Sequence, residues 1–427
     1  MESLGFIIDT LGTAFSFLFR WWWVWLPPVV VFTAVEAWLF YKREQYISTL
    51  QWVLLELIPP PDVQKSPKIA ENFFSALHGI YGQSLKFKKM FFEGKVPDWF
   101  SFEIVGNNGD MKFYVRLPQA HRNLVESQIF AQYPDAEIRV ADDYVMALPE
   151  FLPNEDYELF GTELVFAKES AYPIKTYPFF EEESGKDEFK RSDPFSSLAE
   201  IISSSGPGEH IWIQLLVRPT GGDWVKEAAS VIEKLAKKEK PKEANTLTKI
   251  LDQVESLANI GGTPKKEEKK EEFSIQKLTG GEKFVLDQVE NKVAKLGFKA
   301  GIRFIYVAKK DVFNRSRTAS VTGMFKQLYS NNLNTFRPNP LTLTFSRGYL
   351  YWLFPSDRGF GAGRIELQRK QRIYRNYRKR AFARQVMVLN TEELATLFHL
   401  PGQNVKAPAF PRVEAKKGQP PVGLPTK

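Results

Sequence analysis

The chain has 427 residues, 43% hydrophobic and 25% charged, with a formal net charge of +8, enough for two or three domains with real cores. It has no cysteine, which excludes a disulfide framework, a zinc–thiolate site and a thiol nucleophile. Its four histidines, His78, His121, His210 and His399, are scattered without metal-ligand spacing, so neither a metal nor a cofactor is expected.

The first element is Trp21 to Tyr41, WWWVWLPPVVVFTAVEAWLFY. About twenty mostly apolar residues form a helix of roughly 30 Å, the depth of a bilayer's hydrocarbon core. Trp21, Trp22, Trp23 and Trp25 stand at one end, and Trp38 and Tyr41 at the other, where amphipathic rings favour the headgroup level. Lys42 and Arg43 follow at once, so the positive-inside rule puts the rest of the chain in the cytoplasm. Glu36 and Pro27-Pro28 are against an ideal span, although membrane helices tolerate proline. Glu2 and Asp9 replace the basic start of a signal peptide. Leu4 to Phe19 fits three placements, in the interface, as the start of a longer, broken helix, or as half of a hairpin turning at Arg20. Residues 1–49 are the expected anchor.

Residues 50–158 are the first expected module. Gln51 to Ile58 reads as a strand stopped by Pro59-Pro60-Pro61, and Ser66-Pro67 as the start of a helix with Ile69, Phe73, Phe74, Leu77 and Ile80 on its apolar side. Trp99 to Val105 and Met111 to Leu117 alternate around Asn107-Asn108-Gly109-Asp110, a hairpin signature. A helix from Ala120 to Tyr133, carrying Leu124, Ile129 and Phe130 as its large apolar residues, precedes a short strand at Ala136 to Val140. Strand, helix, strand, strand, helix, strand is the ferredoxin-like order.

Residues 159–348 are the second. Leu164 to Ala167 and Tyr172 to Tyr177 look extended, and Pro194 opens a helix. His210 to Val217 (HIWIQLLV) is apolar on both faces, as in a central strand. Trp224 to Leu235 is helical. The lysine- and glutamate-rich stretch 237–273 reads as a flexible insertion, since it has too little apolar content to offset its ordering entropy. Thr279 to Leu296 is a helix, Lys299 to Ala308 a strand and Ala319 to Tyr329 a helix. The expected fold class is therefore α+β, a transmembrane helix followed by two α/β-sandwich modules of ferredoxin-like type.

Residues 349–401 hold the basic run Arg364 to Arg384, with nine cationic residues, followed by a helix capped by Thr391. Arg369, Lys370, Arg372, Arg375, Arg378, Lys379 and Arg380 are the candidates for phosphate contact, whether of DNA or anionic lipid. On a helix, Arg372, Arg375 and Lys379 share one side, and Tyr374, Tyr377 and Phe382 lean to another. Residues 402–427 are a proline-rich tail. No phosphate-binding loop, dinucleotide fingerprint or nucleophile elbow occurs.

Several segments taken together, WVLLELIP, SPKIAENFFSALHGIYG, FSFEIVGNNGDMKFYVRLP, ESQIFAQYPDAEI, HIWIQLLVRP, GIRFIYVAKK, FKQLYSNNLN and LNTEELATLFHLP, carry a resemblance. The chain resembles the membrane-anchored N-terminal region of bacterial type IV secretion, coupling-protein-like conjugative ATPases, whose motor domain would begin near residue 427. The resemblance implies a non-catalytic scaffold or adaptor at the bacterial inner membrane. Its implied partners are membrane lipid, a separate P-loop ATPase or its DNA substrate, and other copies or subunits of a multi-protein complex. The rival expectation is a membrane-bound nucleic-acid-binding protein that works without a motor.

Overall fold

The computed structural model describes residues 16, 20–60, 66–82, 87–183, 194–236, 278–345 and 361–401. The expected insertion 237–273, the tail 402–427 and nearly all of Leu4 to Phe19 lie outside them. Two compact units are distinguished: residues 1–53, 82–98 and 118–122 in one, and 54–81, 99–117 and 123–427 in the other.

The first unit contains helix α1, Trp22–Thr49, of 28 residues. It is long and apolar enough to cross a membrane, and none of its residues is buried. Pro27 and Pro28 lie inside the helix without ending it. The short helix α3, Phe87–Phe91, belongs to the same unit. Trp38 Nε1 of α1 donates to the Phe91 carbonyl at 3.2 Å.

The second unit is α+β and built on a large, mainly antiparallel sheet. Its strands are β1 (Trp52–Ile58), β2 (Phe100–Asn107), β3 (Asp110–Pro118), β4 (Glu137–Val140), β5 (Tyr157–Phe166), β6 (Glu209–Pro219), β7 (Gly297–Lys309), β8 (Phe336–Pro338) and β9 (Met387–Asn390). Their order is β4-β1-β3-β2-β6-β7-β5-β8. β9 pairs with residues 297–300 of β7, and β5 with residues 302–309, so the two share one edge of that strand end to end. The hairpin forms at its expected position. Asn108 and Gly109 take φ of 54° and 96°, the left-handed pair a two-residue β-turn requires. β6 is central, paired with β2 on one side and β7 on the other. That β2–β6 pairing carries one sheet through both expected modules, and the expected boundary at 158/159 falls inside β5.

Helices are α2 (Lys68–Leu77), α4 (Arg122–Gln132), α5 (Tyr177–Glu183), α6 (Pro194–Ser203), α7 (Asp223–Ala236), α8 (Gly280–Val293), α9 (Arg315–Lys326), α10 (Ala362–Arg378) and α11 (Thr391–Leu397). On one sheet face, Phe102 meets Phe73 and Phe74 of α2 and Phe398 just after α11. On the other, Val105, Trp212, Ile305, Val307 and Leu159 form a core with Ile373, Tyr374 and Tyr377 of α10. In α4, Val125 and Ile129 are buried while Leu124 and Phe130 are exposed, because an i, i+4 pair faces the sheet. The N-cap of α11 is Asn390, not Thr391, in a capping box with Glu393.

Candidate functional site: a cationic helix face on a buried polar frame

Four neighbouring strands each place a charged or amide side chain on the same face of the sheet: Glu103 in β2, Gln214 in β6, Arg303 in β7 and Glu163 in β5. The register sets them directly opposite one another, Glu103 facing Gln214, Gln214 facing Arg303, and Arg303 facing Glu163. All four are buried, and a buried row of this kind must be hydrogen-bonded to be tolerated. Gln214 Nε2 donates to Glu103 Oε1 at 3.0 Å, and Arg303 donates to Gln214 Oε1 and Glu163 Oε1, each at 2.7 Å. The row also binds the end of α10 and the residues after it. Arg303 donates to the carbonyls of Asn376 and Ala381, and Gln214 to that of Tyr377.

Arg380 closes the frame. It ends α10 in the left-handed region, φ 48°, a conformation that costs an L residue energy and persists when its surroundings hold it. Here its guanidinium forks onto both oxygens of Glu103, at 3.0 and 3.1 Å, and onto Asp143, at 2.5 and 2.8 Å. Ser101 and Tyr144 also donate to Glu103. Because Tyr144 spends its proton on that carboxylate, Tyr377 donates in the 2.7 Å contact between the two hydroxyls. Burial works against ionising Glu103, but the Arg380 charge and these donors outweigh it and hold the carboxyl below its usual value. Burial keeps Tyr144 and Tyr377 protonated far above the usual phenol range. It also lowers Arg116, beside Arg380, to about 10.

With its inner side fixed this way, α10 presents Arg364, Arg372, Arg375 and Lys379 as exposed residues, and Arg384 follows, also exposed. The seven sequence candidates therefore separate. Arg372, Arg375 and Lys379 lie on the exposed side. Arg369 is half-buried and donates to the carbonyls of Pro340 and Leu343, Lys370 pairs with Glu158 and Glu366, and Arg378 donates to the Pro149 carbonyl. Arg380, 1% exposed, belongs to the frame and not to the outer face, because its charge is neutralised internally. The sequence signal for the frame was partial: Gln214 and Arg303 interrupt apolar runs of β6 and β7, whereas Glu103 and Glu163 have other polar residues near them in their strands. Without the register those four residues cannot be aligned. Of the expected anchor residues, Trp22, Trp23, Trp25, Trp38, Tyr41 and Arg43 are exposed on α1, Trp21 is exposed at its start, and Lys42 is half-buried.

Fold and site together define an α+β protein with an apolar N-terminal helix and a basic helix clamped on a broad sheet. The chain belongs to the family described as Domain of unknown function (DUF8128), whose model matches residues 42–410. That match begins directly after the apolar stretch 21–41 and takes in the whole polar frame. A comparison with curated proteins finds none that matches.

Proposed function

We propose that this protein is a non-catalytic, membrane-anchored scaffold that docks a polyanionic or motor partner through the outer face of α10. The observation that carries the reading is the division of labour on α10. Tyr374 and Tyr377 are sealed against the sheet while Arg364, Arg372, Arg375 and Lys379 stay exposed. A rigidly backed row of guanidinium and ammonium groups suits phosphate, since neutralising a phosphate releases its condensed counterions. Together with the resemblance to coupling-protein-like conjugative ATPases, this favours an adaptor of a type IV secretion-like DNA-transfer apparatus. In it, α1 is the transmembrane helix in the bacterial inner membrane and the second unit is cytoplasmic, built of two fused ferredoxin-like modules. The sheet order β4-β1-β3-β2 within residues 52–140 supports the first of these modules.

The test is capture of the intact, detergent-solubilised protein from its native membrane, with partners identified by mass spectrometry. Recovery of a P-loop ATPase supports the adaptor. Recovery of nucleic acid that resists moderate salt, with no ATPase, replaces it with a motor-free DNA-binding protein. Recovery of neither sinks both.

A further inference from the structure

The first unit has a second apolar surface besides α1. In α3 and the residue after it, Phe87, Met90 and Phe92 are exposed, Phe87 by 67% and Phe92 by 57%. Lys88 and Lys89 are exposed between them, and Phe87 stacks on Phe91 at 5.4 Å. Three large apolar side chains in six residues, interleaved with lysine, suit neither water nor a protein core. The pattern is that of an interfacial segment, apolar groups in the acyl boundary and ammonium groups among headgroups.

The depth of this segment is fixed by what holds it. Trp38 Nε1 donates to the Phe91 carbonyl. Gly94, at φ 68°, lies so close to the Lys42 carbonyl that no side chain would fit there. Lys42 in turn sits over the Trp38 ring, 5.1 Å from its centroid, and over that of Tyr41. α3 is therefore packed on the turn of α1 bearing the aromatic and cationic groups that mark a membrane–water boundary. Trp38 and Lys42 are separated by one helical turn, about 6 Å along the axis.

We infer that residues 87–92 form a membrane foot, a segment that inserts into the headgroup region of an anionic bilayer beside the end of α1. The inference rests on the reading of α1 as a transmembrane helix. Its partner is lipid rather than protein because the surface is continuous with the boundary end of α1 and its charge complements anionic headgroups.

The absence of cysteine makes the test direct. Full-length protein carrying Phe92→Cys, or Phe87→Cys as a second site, is labelled with an environment-sensitive fluorophore. It is then reconstituted in mixed phosphatidylcholine–phosphatidylglycerol vesicles, and Val31→Cys reports on α1 in parallel. The foot predicts quenching at positions 87 and 92 by nitroxide lipids labelled near the headgroup, and shielding from aqueous iodide. It also predicts loss of that quenching on combining Lys88→Glu with Lys89→Glu, or in vesicles of phosphatidylcholine alone. Iodide access at 87 and 92, with position 31 quenched by nitroxides near the bilayer centre, overturns the foot and leaves the span intact. Headgroup quenching at 87 and 92, with position 31 unquenched, overturns the span and with it the foot beside α1, leaving a peripheral lipid contact. Quenching indifferent to the lysine reversals overturns the assignment to anionic lipid.

Discussion

Glu103 and Glu393 are both fully buried carboxylates facing a cation, yet burial wins at one and loses at the other. At Glu393, paired with Lys292 at 2.9 Å, desolvation raises the carboxyl above its usual value despite the Lys292 charge and the backbone donors of Asn390 and Ile174. Desolvation likewise lowers Lys292. At Glu103 the forked guanidinium, with Ser101 and Tyr144, reverses the outcome. The signs of linkage follow. Glu103, depressed in the folded state, contributes stability above its unfolded pKa and loses it as pH falls through the lower folded value. Glu393, raised, contributes stability below its unfolded pKa and loses it as pH rises through the higher folded value. Arg380→Met, which strands Glu103, should cost about 3–5 kcal/mol in chemical unfolding. Combining Lys292→Met with Glu393→Leu should be less destabilising than the worse single change, because no unpaired charge is left buried. It still costs stability, because the backbone N–H groups of Ile174 and Asn390 lose their acceptor. A double variant as unstable as the worse single one would contradict this. His210, lowered to about 4 by burial, stays neutral while the unfolded chain takes up a proton. Its contribution is therefore present above about pH 6.5 and lost as pH falls toward 4. His210→Gln should flatten the Tm–pH profile across that window.

At the scale of the element, α10 is defined more by what lies beneath it than by its own propensity. Two glycines let the sheet come close to it and to the segment after it. A side chain at Gly161 would press on Ile305 and on Ile373 of α10, and one at Gly301 would overlap Ala383. Gly161→Val should therefore destabilise the protein by about 1–3 kcal/mol through overpacking, read as a lowered Tm. Combining Arg372→Glu with Arg375→Glu touches only the exposed side. It should leave Tm nearly unchanged while weakening DNA binding and flattening its salt dependence, by about 0.9 in log–log slope for each phosphate that is no longer neutralised. A large fall in Tm in this second variant would mean that the outer arginines are structural. Much of each element was legible from local pattern. The left-handed turn at Asn108-Gly109, the alternation of β2 and β3 and the capping box at Thr279 and Glu282 are set within a few residues. The burial of Tyr374 and Tyr377 agrees with their shared side on the helix. β8 and β9, three and four residues long, carry too short a pattern to be read, and each exists because a longer strand offers it an edge.

For the whole molecule, the two expected modules meet in one sheet. β2 is the edge strand of the order β4-β1-β3-β2, and it pairs with β6 over residues 100–107. An unpaired edge of that length would invite other chains, so the second half of the sequence protects the first. α1, at 28 residues about 42 Å long, exceeds the hydrocarbon core of a bilayer. As a transmembrane helix it should keep the full-length protein in the membrane pellet through an alkaline carbonate wash. Release into the supernatant would reduce α1 to a peripheral contact.

The sequence by itself determined the apolar helix, the α+β class, the hairpin and the basic run, because each depends on residues close together in the chain. Tertiary structure decided which basic residues face outward and which are consumed inside. Arg375 and Arg380 look alike in sequence, but one is exposed and the other is neutralised by Glu103, 277 positions away in the chain. It likewise brought Phe91 to Trp38, 53 positions apart. Register and long-range packing place these partners, and neither leaves a periodic trace in a single chain.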